Sequence, residues 1–266
     1  MSRLPQRIVC LTTETVEVLY ALGEQERIVG ISGYTVRPPQ ARKEKPKVFA
    51  FTSGDIAKIL AVEPDLVLTF SDLQADIARD LIKAGIPVYA LNMRSVDDIL
   101  AMIETLGRLV AAEDRAQALV AGLEAQIAAA RAHAEASIAR HGRRPRIYFE
   151  EWDEPLISGL RWVSELIDIA GGEDVFAARA RSPLAADRRP TPDEVIAAAP
   201  EVIIGSWCGK HFRPERVAAR PGWEAIPAVA HNRLHEIKSA IILTPGPVAI
   251  SEGLPLLQKI LWPESD

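Results

Sequence analysis

Cysteine is scarce in this chain: 266 residues carry two, Cys10 and Cys208. Two cysteines in a chain this long do not make a disulfide scaffold. Cys10 falls in the apolar run Ile8-Val9-Cys10-Leu11, which reads as a buried thiol on a strand. Apolar runs are short, and none reaches the ~18 residues that a membrane-crossing helix needs. The opening Met1-Ser2-Arg3-Leu4-Pro5-Gln6-Arg7 lacks the apolar stretch of a signal peptide. The expectation from these residues alone is a soluble, cytoplasmic protein. A Walker loop, CxxC and HExxH are all absent. So is any cationic excess: the net charge is −5, against the many phosphate contacts that nucleic-acid binding rests on. Aromatic residues make up only 6% of the chain, so their positions carry information.

What is present is a globular composition, 48% hydrophobic and 25% charged, and a repeat. Ile59-Leu60-Ala61-Val62-Glu63-Pro64-Asp65-Leu66-Val67-Leu68 is matched 136 positions later by Val195-Ile196-Ala197-Ala198-Ala199-Pro200-Glu201-Val202-Ile203-Ile204. Both copies read as a helix end, a proline stop, an acidic residue and a buried strand. Both run into an aromatic residue and a polar loop, Phe70-Ser71-Asp72 and Ser206-Trp207-Cys208. A duplicated unit of this kind predicts two related α/β lobes facing one cleft. In open parallel sheets ligands collect outside the carboxyl ends of the strands.

Along residues 1–110 strands alternate with helices, the pattern of an α/β lobe. Tyr34 to Lys47 reads as a long loop. Residues 111–142 are different. Glu113 to His141 is rich in Ala, Glu, Gln and Arg, with Leu119, Leu123, Ile127 and Ala130 at helical spacing. At ~1.5 Å per residue such a helix spans roughly 40 Å, long enough to link two lobes. A helical hairpin inside one domain is the alternative. Residues 143–266 resume the α/β pattern. The expected fold class is therefore α/β, two Rossmann-like lobes with mostly parallel sheets joined by a single long helix.

This organisation resembles the binding proteins that serve cobalamin and ferric-siderophore ABC importers, most of all the vitamin B12-binding members. Arg7-Ile8-Val9-Cys10-Leu11-Thr12 with Glu14, Val16, Leu19, Leu22 and Gly23 resembles that family's opening strand and helix. Val29-Gly30-Ile31-Ser32 before Pro38-Pro39 resembles its second strand and loop. Asp55 to Leu68 and Gly171-Gly172-Glu173-Asp174-Val175-Phe176 resemble two further segments. The resemblance implies a monomeric cleft binder with little hinge motion, periplasmic, handing a bulky ligand to an ABC permease. It implies no cofactor and no enzyme activity; the ligand expected is a corrinoid, cobalamin or cobinamide. A ferric siderophore, haem or another metal chelate is the alternative, and a cytoplasmic enzyme or corrinoid-handling protein on the same fold a further one. The family docks on its permease through an acidic residue on each lobe. Here Asp193 with Glu194 holds the second-lobe position, and Asp55 lies nearest the first.

Candidate ligand contacts are the residues that follow strands. In the first lobe they are Thr13 at a helix start, Tyr34 and Arg37 in the long loop, Phe51 with Thr52, and Phe70. The resemblance places Phe51 where relatives carry an aromatic against the corrin. In the second lobe they are Glu150, Glu151 and Trp152, then Trp207, Cys208, His211 and Phe212. Aromatics concentrated at strand ends are expected to stand clear of the core and offer flat faces to a macrocycle. The acidic run Glu150-Glu151-Asp153-Glu154 reads as a loop whose carboxylates accept from ligand amides. Arg179, Arg181, Arg188 and Arg189, read as a charged surface loop, would suit an anionic chelate instead. Trp162 and Trp223 read as lobe core. Cys208 and His211 alone are too few for a structural metal site; His211 is a candidate axial ligand to a corrinoid cobalt.

Overall fold

The computed structural model describes residues 4–50 and 56–263. Phe51, Thr52 and Asp55 lie outside the described residues. The chain divides into two units: Met1–Met93 with Asp97–Gly122, and Arg94–Val96 with Leu123–Asp266.

Unit 1 alternates strand and helix. Its elements are β1 (Ile8–Cys10), α1 (Thr13–Ala21), β2 (Ile28–Ser32), α2 (Pro39–Glu44), β3 (Lys47–Phe49), α3 (Ile56–Leu60), β4 (Leu66–Phe70), α4 (Ala75–Lys83), β5 (Val88–Leu91) and α5 (Val96–Val110). The strands form one parallel sheet in the order β3-β2-β1-β4-β5. β1 and β4 are buried along their whole length, as central strands covered on both faces must be. The segment read as one long loop holds a helix: Pro39 supplies the φ that a first helical turn needs, and α2 follows. α6 (Glu113–His141) follows α5; Gly122 ends its share of unit 1 and Leu123 begins its share of unit 2.

Unit 2 comprises β6 (Arg146–Asp153), β7 (Leu156–Ser158), α7 (Arg161–Ile169), β8 (Glu173–Asp174), α8 (Ala177–Ala180), α9 (Pro192–Ala198), β9 (Val202–Gly205), α10 (Pro214–Ala218), α11 (Pro227–Ala230), β10 (Leu234–Glu236), α12 (Ser239–Ile242) and α13 (Leu254–Leu261). Its sheet runs β10-β9-β6-β7, with β8 also on β6; only the β6–β7 pair is antiparallel. The acidic run is no loop. β6 continues through it to Asp153 and folds back on β7, pairing Glu150 with Ser158 and Asp153 with Leu156.

The repeat has a structural basis in each copy. Ile8 is level with Leu66, and Ile147 with Val202. The acidic residue pins the neighbouring strand: Asp65 accepts from the Gln6 and Arg7 N–H groups at 2.7 and 2.9 Å, and Glu201 accepts from the Arg146 N–H at 3.0 Å. The residue before each proline is left-handed, Glu63 at φ 47° and Ala199 at φ 44°. The core of unit 1 gathers Val9, Leu11, Val48, Ile59, Val67 and Leu81. That of unit 2 gathers Tyr148, Val195, Ile203, Val217 and Trp223, together with Trp207 and Phe212. Trp162 is buried as expected, its indole N–H donating to the Ile242 carbonyl at 2.9 Å.

Candidate functional site

In unit 1 the strand order reverses between β1 and β4, so their carboxyl ends form the switch point where ligands bind such sheets. Gln74 ties the two ends together. It is 1% exposed; its Oε1 accepts from the Phe70 N–H at 2.9 Å and its Nε2 donates to the Leu11 carbonyl at 3.3 Å. Ser71 beside it is held at φ 52°, a strained conformation for a residue with a Cβ. Its hydroxyl accepts from the Leu73 N–H at 3.3 Å, and Leu73 projects 55% exposed. Tyr34 is 68% exposed in the turn after β2, with Val36 also exposed. Thr13 is half-buried at the start of α1. Arg37 is engaged, its Nε 3.8 Å from Glu17 Oε1. Phe70 is buried. Among the described residues Tyr34 is thus the exposed aromatic of this edge; Val36, Leu73 and Gln74 were missed because nothing in their spacing marks them.

Glu14 lies beneath the same edge, 3% exposed. Burial raises its carboxyl to about 7, against the lowering effect of the Thr12 hydroxyl.

In unit 2 the reversal falls between β6 and β9, and Glu150 stands there, fully buried. Its carboxylate is saturated from within: it accepts from Trp207 Nε1 at 2.9 Å and from Arg220 Nη1 and Nη2 at 2.6 and 2.9 Å. Burial alone would lower the Arg220 guanidinium; the hydrogen bonds and charge of Glu150 outweigh it and raise it. Glu151 pairs with Arg188. Burial still raises the Glu151 carboxyl above its usual range. Asp153 pairs with Lys210 and lies 3.7 Å from Arg216. These pairs explain how acids sit in a buried strand, since a buried charge needs a hydrogen-bonded partner. They also correct the expectation that this run offers free acceptors: its three buried or half-buried carboxylates are already paired. Arg188 is no surface charge either; it is 2% exposed.

Like Phe70 in unit 1, two aromatics of unit 2 expected clear of the core are inside it. Trp207 is 2% exposed and Phe212 is 6% exposed, packed edge to face with ring centroids 5.1 Å apart. Gly205 makes room for this: a Cβ there would stand 1.8 Å from the Phe212 ring. The strand-end position was read correctly, but the loop folds back over β9. Trp152 is different. It is half-buried, its indole N–H donating to the Glu154 carbonyl at 2.8 Å. Cys208 and His211 are exposed beyond it. The surrounding protein and then the Glu151 charge push the Cys208 thiol upward, away from the thiolate a metal would need. His211 Nδ1 lies 3.2 Å from Lys238 Nζ. An ammonium only donates, so Nδ1 accepts and the imidazole proton sits on Nε2. In that tautomer Nε2 is a donor and has no lone pair for cobalt.

At the start of α9, Thr191 and Glu194 form a capping box: the Thr191 hydroxyl accepts from the Glu194 N–H at 3.2 Å and Glu194 Oε2 from the Thr191 N–H at 2.7 Å. Glu194 also pairs with Arg179, whereas Asp193 is exposed. A cavity of about 620 Å³ opens nearby, walled by Leu156, Arg189, Pro192, Arg220 and Trp223.

Comparison with known proteins matches the family model "Periplasmic binding protein" over residues 8–241. An ABC transporter substrate-binding lipoprotein of Bacillus subtilis is 24% identical, covering 98% of this chain and 81% of the relative. A vitamin B12-binding protein of Vibrio campbellii is 26% identical over 90% of this chain and 84% of its own. Among solved structures, a periplasmic haem-binding protein of Pseudomonas aeruginosa superimposes with a TM-score of 0.84 at 19% identity, covering 99% of this chain and 95% of that one.

Proposed function

Because this chain belongs to the periplasmic binding protein family, we propose that it is the substrate-binding component of an ABC importer whose ligand is a corrinoid, cobalamin or cobinamide. The observation that carries the ligand class is the exposed apolar set at the carboxyl edge of unit 1. Tyr34, Val36 and Leu73 stand in water at the one edge where such sheets take ligands. A bulky ligand with a flat apolar body gains most there, because apolar burial scales with area. Similarity to the vitamin B12-binding relative points the same way. Trp152 is the aromatic contact proposed for unit 2, with His211 Nε2 and Cys208 at the rim; Thr13 supplies a hydroxyl in unit 1. A permease is the partner, and the exposed Asp193 is the proposed docking acid of unit 2.

One observation favours a second reading, an anionic metal chelate such as a ferric siderophore or haem. Glu150, Glu151 and Asp153 are neutralised internally, while His211 is exposed and Lys238, also exposed, is paired with Glu236 beside it. Native mass spectrometry of the protein mixed with equimolar cobinamide and ferric hydroxamate decides between them. The corrinoid reading expects the cobinamide complex to dominate; a dominant ferric complex establishes the second reading instead.

A further inference from the structure

Trp152 is the half-buried aromatic that unit 2 offers to a ligand, yet its face is already taken. The Lys210 ammonium lies 4.0 Å from the centre of the Trp152 ring and 5.1 Å from that of Trp207, and it pairs with Asp153. An ammonium over an indole is held by the ring quadrupole, and here a carboxylate adds to the hold. The rest of Trp152 is not free to compensate. Its N–H is committed to the Glu154 carbonyl and its body packs against the core that includes Tyr148 and Trp207. Lys210 itself sits on a loop tip. Gly209 before it is left-handed at φ 74°, and no atom lies within 4 Å of where a Cβ would stand there.

We propose that Lys210 is a gate on Trp152: its ammonium covers the indole face that a planar ligand needs, and it yields most readily to a ligand bearing an anionic acceptor. The reason is charge balance. Moving Lys210 off the ring breaks its contact with Asp153, and a ligand carboxylate or phosphate replaces what is lost, whereas a neutral amide replaces it poorly. Lys210 is then a specificity residue. It does not create affinity for flat ligands; it discriminates among them by the charge beside the flat face. The selection by charge rests on the reading above that Trp152 contacts the ligand, and among corrinoids it favours cobalamin, whose nucleotide loop carries a phosphodiester, over the neutral-amide cobinamide; the covering of Trp152 rests on neither.

The test has two parts, both on the full chain. First, acrylamide quenching of tryptophan emission is measured without ligand in wild type, Lys210→Ala and the milder Lys210→Gln, with Lys210→Ala/Trp152→Phe as control. The gate predicts stronger quenching in both single variants and loss of the increase in the double variant. Unchanged quenching overturns it. Second, affinities are measured for dicyanocobinamide, whose side chains are neutral amides, and for haem, which carries two carboxylates. Removing Lys210 should strengthen cobinamide binding about threefold to tenfold, the size of one cation–π contact, and weaken or leave unchanged haem binding. Equal changes for both ligands overturn the selection by charge. If quenching rises while no variant binds either ligand, the gate on Trp152 stands and the ligand reading fails.

Discussion

At the residue scale, Trp207 and Trp152 divide the work that position alone would assign to both. Trp207 is sealed in the core with its N–H on Glu150, so Trp207→Ala removes a buried aromatic and leaves a carboxylate short of a donor. Its expected cost is about 3–5 kcal/mol in urea unfolding. Trp152→Ala should cost far less stability and weaken ligand binding about 30-fold, near 2 kcal/mol for a hot-spot aromatic. Reversed phenotypes would exchange their roles. Glu14 supplies a pH dependence. Its carboxyl is near 7 when folded and about 4.5 otherwise, so between those values the native state holds a proton that the unfolded chain releases. The stability this group contributes is therefore full below pH 4.5 and lost as pH rises toward and through 7, about 3 kcal/mol in all. Glu14→Gln should flatten that part of the pH–stability curve between pH 5 and 8. A variant with the slope of wild type would remove Glu14 as its source.

At the element scale, the two copies of the repeat share their backbone strain. Glu63 and Ala199 are left-handed without being glycine, which costs roughly 1 kcal/mol. Ala199→Gly should therefore raise stability by about that amount, read as an upward shift of Tm; a lower Tm would mean that the methyl group contributes packing that outweighs the strain. The longer helices and most of the parallel strands were legible in sequence because apolar runs, proline stops and the Glu113–His141 composition report local physics; α2 and β3, inside or at the edge of the segment read as a loop, were not. The β6–β7 hairpin was not. Its strand reads as acidic because the compensating cations, Arg188, Lys210 and Arg220, lie 37 to 70 positions away. Partners that distant leave no local pattern. A comparable distance hid the burial of Trp207, whose indole N–H reaches Glu150 57 positions away while Phe212 folds onto Gly205 beside it.

At the scale of the whole molecule, family and architecture follow from the order of the segments, and the family model over residues 8–241 agrees. The site was legible only as an edge. Strand ends could be counted along the chain, and Tyr34 stands after β2 where that count put it, whereas Trp152, read as following its strand, lies within β6. Which side chains at an edge stay exposed is set by long-range packing, so Leu73 and Gln74 emerged only with the fold. The central proposal is that the ligand is a corrinoid. Titrating cyanocobalamin into the purified protein, followed by calorimetry, tests it most directly. The account predicts one-to-one saturation with Kd about 1 µM or tighter, near −8 kcal/mol, and a clear loss in Tyr34→Ala and Trp152→Ala. No heat and no saturation at about 100 µM corrinoid, alongside one-to-one binding of a ferric chelate, would contradict it.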